Sequence, residues 1–276
     1  MSSLEQKSSN KCCDGELRKY SFTSSALGGL SANLNVFLPS SALAGGGKKV
    51  PVLYYLAGLT CTEDNGAQKG GFHAAAAEHQ IAVVYPDTSP RGAGAAGEDE
   101  AYDFGTGAGF YIDATKEPFA KHYQMWTHVT KEIPDVLSKA GLNLDTSNAS
   151  ITGHSMGGHG ALTIYLGSPA GTYKSVSAFA PICHPTACPW GKKAFQGYFA
   201  NGLTDGSKHD ATELLTAAGG PSARNVDILI DSGTGDNFYK DGQLLPEDLA
   251  KAAMSAGYDD KQVQIRLQDG YDHSCE

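Results

Sequence analysis

The hydrophobic positions of this chain fall into short runs separated by Gly- and Pro-rich punctuation. Residues 18–23 and 32–38 read as strands joined by a turn at Gly28-Gly29. Residues 51–57 (PVLYYLA) are apolar without a break, as suits a strand covered on both faces. Residues 70–80 predict a helix and 81–85 the next strand, closed by Pro86. Residues 118–140 predict a helix that Pro134 bends or divides. Residues 149–152 (ASIT) read as a short buried strand, and 159–166 as an apolar helix stopped by Gly167 and Pro169. Further strands are expected at 175–180, 227–230 (DILI) and 263–267, with a helix at 244–256. After the opening pair, strand and helix alternate. That pattern predicts an α/β fold, a mostly parallel central sheet with helices on both faces.

The segments between these runs carry their own expectations. Residues 1–16 are polar and read as a loosely ordered leader, and residues 40–49 as a loop. Residues 87–109 form a long Gly-rich stretch that is ordered only if something packs it. Residues 184–222, with Trp190 and short helical pieces, read as a cap-like excursion over the sheet edge. No internal repeat or second domain is visible, so residues 1–276 are expected to form a single domain.

Composition narrows the function classes. The chain has 276 residues, 41% of them hydrophobic, which suffices for a large core. Its formal net charge is −9 with no basic tract, which argues against a nucleic-acid partner. The apolar runs fall far short of the ~18–20 residues that span a bilayer. The first residues lack the apolar stretch of a secretory signal, so a cytoplasmic protein without a membrane partner is expected. Cys12, Cys13, Cys61, Cys183, Cys188 and Cys275 show no C-x-x-C spacing, and reduced thiols are expected.

The chemistry enters at Gly153-His154-Ser155-Met156-Gly157, which matches Gly-x-Ser-x-Gly. In a strand–turn–helix context this pattern is a nucleophile elbow, and it points to an α/β-hydrolase fold. Small residues on either side leave room for a bend that lifts the serine hydroxyl above the sheet edge. The expected strand before the motif and helix after it supply that context.

A serine hydroxyl needs a base, and the base needs an acid to hold its tautomer. In this fold the chain order is Ser, acid, His. His273 follows the last strand. Asp236 lies on the Gly-rich loop after the penultimate one, with Asp231 at the strand end as the rival acid. The loop position is better able to aim a carboxylate, which favours Asp236. Oxyanion donors are expected at the backbone N–H of Met156, after the nucleophile, and of Leu59, in the loop after residues 51–57.

The remaining sequence signals point away from other chemistries. His154 adjoins the nucleophile but is expected to point elsewhere, and His159 to pack. No zinc-ligand spacing is present, so no metal and no cofactor are expected. Gly92-x-Gly94-x-x-Gly97 leads into Glu98-Asp99-Glu100, whose charges would repel a pyrophosphate. Gly47-Lys48-Lys49 reads as a turn.

The match extends well beyond the elbow. Residues 59–65 (LTCTEDN), 86–92 (PDTSPRG), 97–100 (GEDE), 102–111 (YDFGTGAGFY) and 153–160 (GHSMGGHG) carry a resemblance. So do 177–183 (SAFAPIC), 188–195 (CPWGKKAF), 241–246 (DGQLLP) and 270–274 (GYDHS). Over nearly its whole length the chain resembles the S-formylglutathione hydrolase family, also called esterase D.

The resemblance implies a catalytic triad of Ser155, Asp236 and His273, and a near-site thiol at Cys61. It implies hydrolysis of S-formylglutathione to formate and glutathione, in glutathione-dependent formaldehyde removal. It also implies a homodimer. Family members continue past the histidine with a further helix, whereas only Ser274, Cys275 and Glu276 follow His273 here, so a C-terminal helix is expected to be missing. The alternatives are a broad-specificity carboxylesterase on the same fold, and a catalytically silent binding protein. A glutathione substrate is anionic, so local cations are expected to offset the acidic sum; Lys69, Arg91, Lys192 and Lys193 are the candidates.

Overall fold

The computed structural model describes residues 3–44 and 49–274. Nine strands form one sheet: β1 (Glu5–Cys12), β2 (Gly15–Thr23), β3 (Ser31–Pro39), β4 (Val50–Leu56), β5 (Ala82–Pro86), β6 (Leu144–His154), β7 (Tyr173–Phe179), β8 (Ile228–Gly233) and β9 (Val263–Gln268). The spatial order is β1-β2-β3-β5-β4-β6-β7-β8-β9. The β1–β2, β2–β3 and β3–β5 pairs are antiparallel, and β5, β4, β6, β7, β8 and β9 run parallel. This is the mostly parallel α/β-hydrolase sheet that the alternation of runs predicts.

The unbroken apolar runs are explained by burial on both faces. Successive strand side chains point to opposite sides. On β4, Val52, Tyr54 and Leu56 join the large core, while Tyr55 and the following Ala57 join a smaller one. The smaller core lies under the helices Glu63–Lys69 and His73–Glu78, and it includes Phe37, Ala67, Ala76, Ala77 and Tyr85. The larger core holds the helix Met156–Gly167, buried along nearly its whole length. Each large side chain buried this fully contributes about 1.5–3 kcal/mol.

Several expectations need correction. The stretch read as a loose leader contains β1, paired with β2 from Glu5↔Ser21 to Cys12↔Gly15. Its residues are exposed on both faces, so no apolar alternation announces it. Residues 40–49 begin with a helical turn, Ser40–Leu43, and residues 45–48, including most of Gly47-Lys48-Lys49, lie outside the described residues. The helix expected over 70–80 is shorter, and a separate one, Glu63–Lys69, precedes it. Its signal was a capping box: the Thr62 and Asn65 side chains close the first turn. The helix expected over 118–140 begins only at Met125 and runs unbroken to Lys139, so Pro134 does not divide it. A wide π-helical turn, His128–Glu132, comes just before Ile133–Lys139, in whose first turn the proline sits.

The excursion over 184–222 contains the helices Pro189–Tyr198, Leu203–Gly206 and Ala211–Ala217. His184 ties it to the helix Pro246–Ala256 through Asp248 (2.9 Å). The Gly-rich 87–109 stretch is ordered by aromatic packing: Phe104 stacks on Tyr198 (4.5 Å) and meets Phe119 edge-on (4.9 Å). The Tyr198 hydroxyl accepts from the Gly105 N–H (2.7 Å) and donates to the Ala108 carbonyl (2.9 Å). None of the five described cysteines is in a disulfide; Cys275 lies outside the described residues.

Candidate active site

Ser155 sits between the end of β6 and the first residue of the helix Met156–Gly167. Its backbone is held at φ +58° and ψ −120°, a conformation that side-chain-bearing residues rarely adopt. The flanking glycines show what makes the bend possible. A Cβ on Gly153 would lie 2.2 Å from the Gly157 carbonyl oxygen, and one on Gly157 would lie 2.0 Å from that of Leu56. The Ser155 N–H donates to Phe179 O on β7 (2.9 Å), and its carbonyl accepts from the His159 N–H (3.0 Å). The elbow is thus bonded to a strand on one side and to its own helix on the other.

The second and third functional loops leave the neighbouring ends of β8 and β9. Asp236 is fully buried and caps the helix Asn237–Lys240: its Oδ1 accepts from the N–H of Phe238 (2.7 Å) and of Tyr239 (3.4 Å). Its Oδ2 accepts from His273 Nδ1 at 2.6 Å. This bond fixes the Nδ1–H tautomer of the imidazole and leaves Nε2 for chemistry. The rival Asp231 is engaged elsewhere. It pairs with Arg266 through Nε (2.7 Å) and Nη2, and accepts from Gln268 Nε2 (2.9 Å). Phe238 meets the His273 ring edge-on, with centroids 4.7 Å apart.

The loop after β4 supplies the fourth part. Leu59 is in neither helix nor strand, and its N–H makes no hydrogen bond among the described residues. Met156 is the first residue of its helix, where N–H groups lack intrahelical partners. The loop is clamped on both sides of Leu59. The Tyr111 hydroxyl donates to Ala57 O (2.8 Å), and the Thr60 N–H donates to Gly107 O (2.9 Å). Cys61 O accepts from Thr88 Oγ1 (2.5 Å) and Arg91 Nη2 (2.8 Å). The packed 87–109 stretch therefore serves as the buttress of this loop.

These parts meet around one cavity of about 220 Å³, lined by Gly58, Leu59, Thr60, Cys61, Tyr102, His154, Ser155, Trp190, Phe238 and His273. Ser155 and His273 both face it. The hydroxyl–imidazole hydrogen bond is not closed here; such bonds are often long without substrate and tighten in the reacting complex. A larger groove, about 280 Å³, lies beside β8 and β9 and contains Asp231, but neither Ser155 nor His273 lines it. The excursion contributes Trp190 to the wall, packed on Phe238 with centroids 4.7 Å apart.

Sequence reasoning left His154, Tyr102 and Phe238 out of the site. Burial holds the His154 imidazole down to about 4, helped by the neighbouring His273, so it is neutral near pH 7. Of the candidate cations, Arg91 is bound to Asp87 (Nη2–Oδ1 2.6 Å) and Lys193 to Asp103. Lys192 is exposed beside Trp190 and has no ion pair among the described residues. The Gly92–Gly97 loop is filled from within: buried Glu98 accepts from the Gly94 N–H (2.6 Å) and the Tyr123 hydroxyl (2.8 Å). His159 packs as expected, fully buried, with Nε2 donating to Phe110 O (3.1 Å).

Comparison with known proteins gives the family of the whole chain. Residues 24–276 match the Esterase family. The S-formylglutathione hydrolase of Bos taurus is 47% identical over 98% of this chain and 92% of its own length. That of Arabidopsis thaliana is 47% identical over 99% of this chain and 92% of its own. The solved structure of an S-formylglutathione hydrolase from Agrobacterium tumefaciens superposes with a TM-score of 0.89 at 38% identity, covering 98% of this chain and 93% of that one. With the elbow, the sheet order and the overall likeness all in agreement, the chain belongs to the S-formylglutathione hydrolase family of serine esterases.

Proposed function

We propose that this chain hydrolyses S-formylglutathione to formate and glutathione through a formyl-enzyme on Ser155. The observation that carries the reading is the 2.6 Å His273–Asp236 pair set in the same cavity as Ser155 on its elbow. In this mechanism Ser155 Oγ attacks the thioester carbon while His273 Nε2 takes its proton. Asp236 stabilises the imidazolium that forms. The Leu59 and Met156 amides receive the charge on the attacked oxygen; each such donor is worth about 3–4 kcal/mol in the transition state. The C–S bond breaks, and the imidazolium returns the proton to the glutathione sulfur. A water, deprotonated by the same imidazole, then releases formate and frees Ser155.

The cavity's size supports a small acyl group, with the tripeptide lying outward across Tyr102 and the Pro189–Tyr198 helix. There Lys192 is the cation placed to meet a carboxylate. Cys61, on the wall, is a near-site thiol and not the nucleophile. The proposed setting is the cytoplasm and the proposed assembly a homodimer; among the described residues no helix is long and apolar enough to cross a membrane. Intact mass after treatment with a serine-directed phosphonate tests the mechanism. One adduct is expected on the wild type and none on Ser155→Ala, and an unmodified wild type would refute the reading.

A further inference from the structure

The residue before the nucleophile is tied to the loop of the base. His154 Nε2 lies 2.6 Å from the His273 carbonyl oxygen, and the two rings pack with centroids 4.7 Å apart. A carbonyl only accepts, so His154 must carry its proton on Nε2 and donate. The ring is mostly buried and, with its basicity lowered to about 4, stays neutral across the physiological range. The groups acting on it are His273, which disfavours its charge, and Asp236, which favours it.

The His273 loop otherwise has few anchors. The Tyr271 carbonyl accepts from the Gly235 N–H (2.8 Å), and the Gly270 N–H donates to Thr234 Oγ1 (2.9 Å). Gly270, Tyr271 and Asp272 are exposed, and among the described residues Ser274 bonds only to Asp272 on its own loop. Asp236 grips the imidazole and Phe238 packs on it, but neither holds the backbone from which the ring projects. The His154 bond fixes the backbone from which the ring projects. It comes from the residue covalently attached to Ser155, so base and nucleophile share one rigid reference.

We propose that His154 is a positioning residue: its Nε2–H holds the His273 backbone so that the His273 imidazole stays aimed at Ser155. This rests on His273 being the base. A misplacement of about 1 Å between reacting groups can cost ~10²-fold, which sets the scale of the effect.

The test compares His154→Phe, which keeps the ring and removes the donor, with His154→Gln, whose amide N–H reaches a similar distance. His273→Ala serves as reference. In His154→Phe, kcat is expected to fall at least about tenfold for both S-formylglutathione and a neutral aryl ester, with KM nearly unchanged. The pKa seen in the kcat/KM profile should move, and His154→Gln should recover most of the rate and the profile. Equal loss in both variants with an unmoved pH profile would overturn the inference and leave His154 a packing residue. So would full activity in His154→Phe. If His273→Ala retains activity, the assignment of the base fails instead. Should the variants not fold, nitrogen-15 NMR of the wild-type imidazoles decides: the Nε2–H tautomer at His154 is expected, and Nδ1–H would refute it.

Discussion

At the scale of single residues, the proposed chemistry depends on a serine held where serine does not rest comfortably. Ser155 keeps a positive φ because the turn around it is overdetermined: Gly157 lies against β4 with no room for a methyl group. Gly157→Ala is therefore expected to disturb the elbow and cut kcat/KM by a factor on the order of 10² or more. Esterase assays on folded protein check this, and near-wild-type activity would contradict it. The two aspartates provide a sharper contrast. Asp236→Asn breaks the bond that sets the imidazole tautomer and should cost about 10³–10⁴ in kcat. Asp231→Asn loosens a partly exposed pair with Arg266 and should change kcat by less than about threefold. Charge reversal at Lys192 should raise KM for the glutathione thioester several-fold and leave a neutral ester unaffected; equal effects on both would remove Lys192 from the substrate surface. That Ser155, Asp236 and His273 come together was legible because each follows a recognisable strand in the chain order of the fold. His154 was not. The direction of a side chain in a tight turn depends on backbone angles, and its partner is the carbonyl of a residue distant in sequence.

At the scale of elements, legibility followed burial. Strands β4 and β5 are buried apolar runs and were located to within a few residues; β7, β8 and β9 carry shorter apolar stretches or apolar residues alternating with polar ones, which placed them nearly as closely. Strand β1 and the first half of β6 are mostly exposed and carry polar sequence, so nothing in their side chains marks them. The Glu63–Lys69 helix has no apolar periodicity and is defined by its cap. The 87–109 stretch posed a question that sequence left open, whether anything orders it. The answer is Tyr198, whose hydroxyl bridges Gly105 and Ala108 from the Pro189–Tyr198 helix. Tyr198→Phe leaves the Gly105 N–H buried without an acceptor, which costs about 1–3 kcal/mol. Urea denaturation should show that loss. Because the same stretch clamps the Leu59 loop, kcat is expected to fall with it, and a fully stable, fully active variant would show that the stretch is held by its aromatic packing alone.

At the scale of the whole molecule, the parallel sheet gathers the chemistry at one edge. Strands β4, β6, β8 and β9 all end there, so loops far apart in sequence share one cavity. The same core fixes a pH dependence of stability. Burial lowers the basicity of His154 to about 4, of His159 to about 3 and of His209 to about 4, from an ordinary 6.5. Between pH 6.5 and about 4 the unfolded chain therefore binds protons that the folded chain refuses. Stability must fall as pH drops through that window, by up to about 1.4 kcal/mol per pH unit for each group. Urea midpoints measured from pH 7 to pH 5 should decline, and a flat profile would contradict the assigned burial. The proposed activity of this cavity is turnover of a glutathione formyl thioester. The most direct measurement is kcat/KM for S-formylglutathione beside that for an acetyl aryl ester, with Ser155→Ala as control. The thioester is expected to be preferred by at least about tenfold, with both activities lost in Ser155→Ala. A wild type that cleaves the ester as fast as or faster than the thioester, or a Ser155→Ala variant that retains activity, would contradict the account.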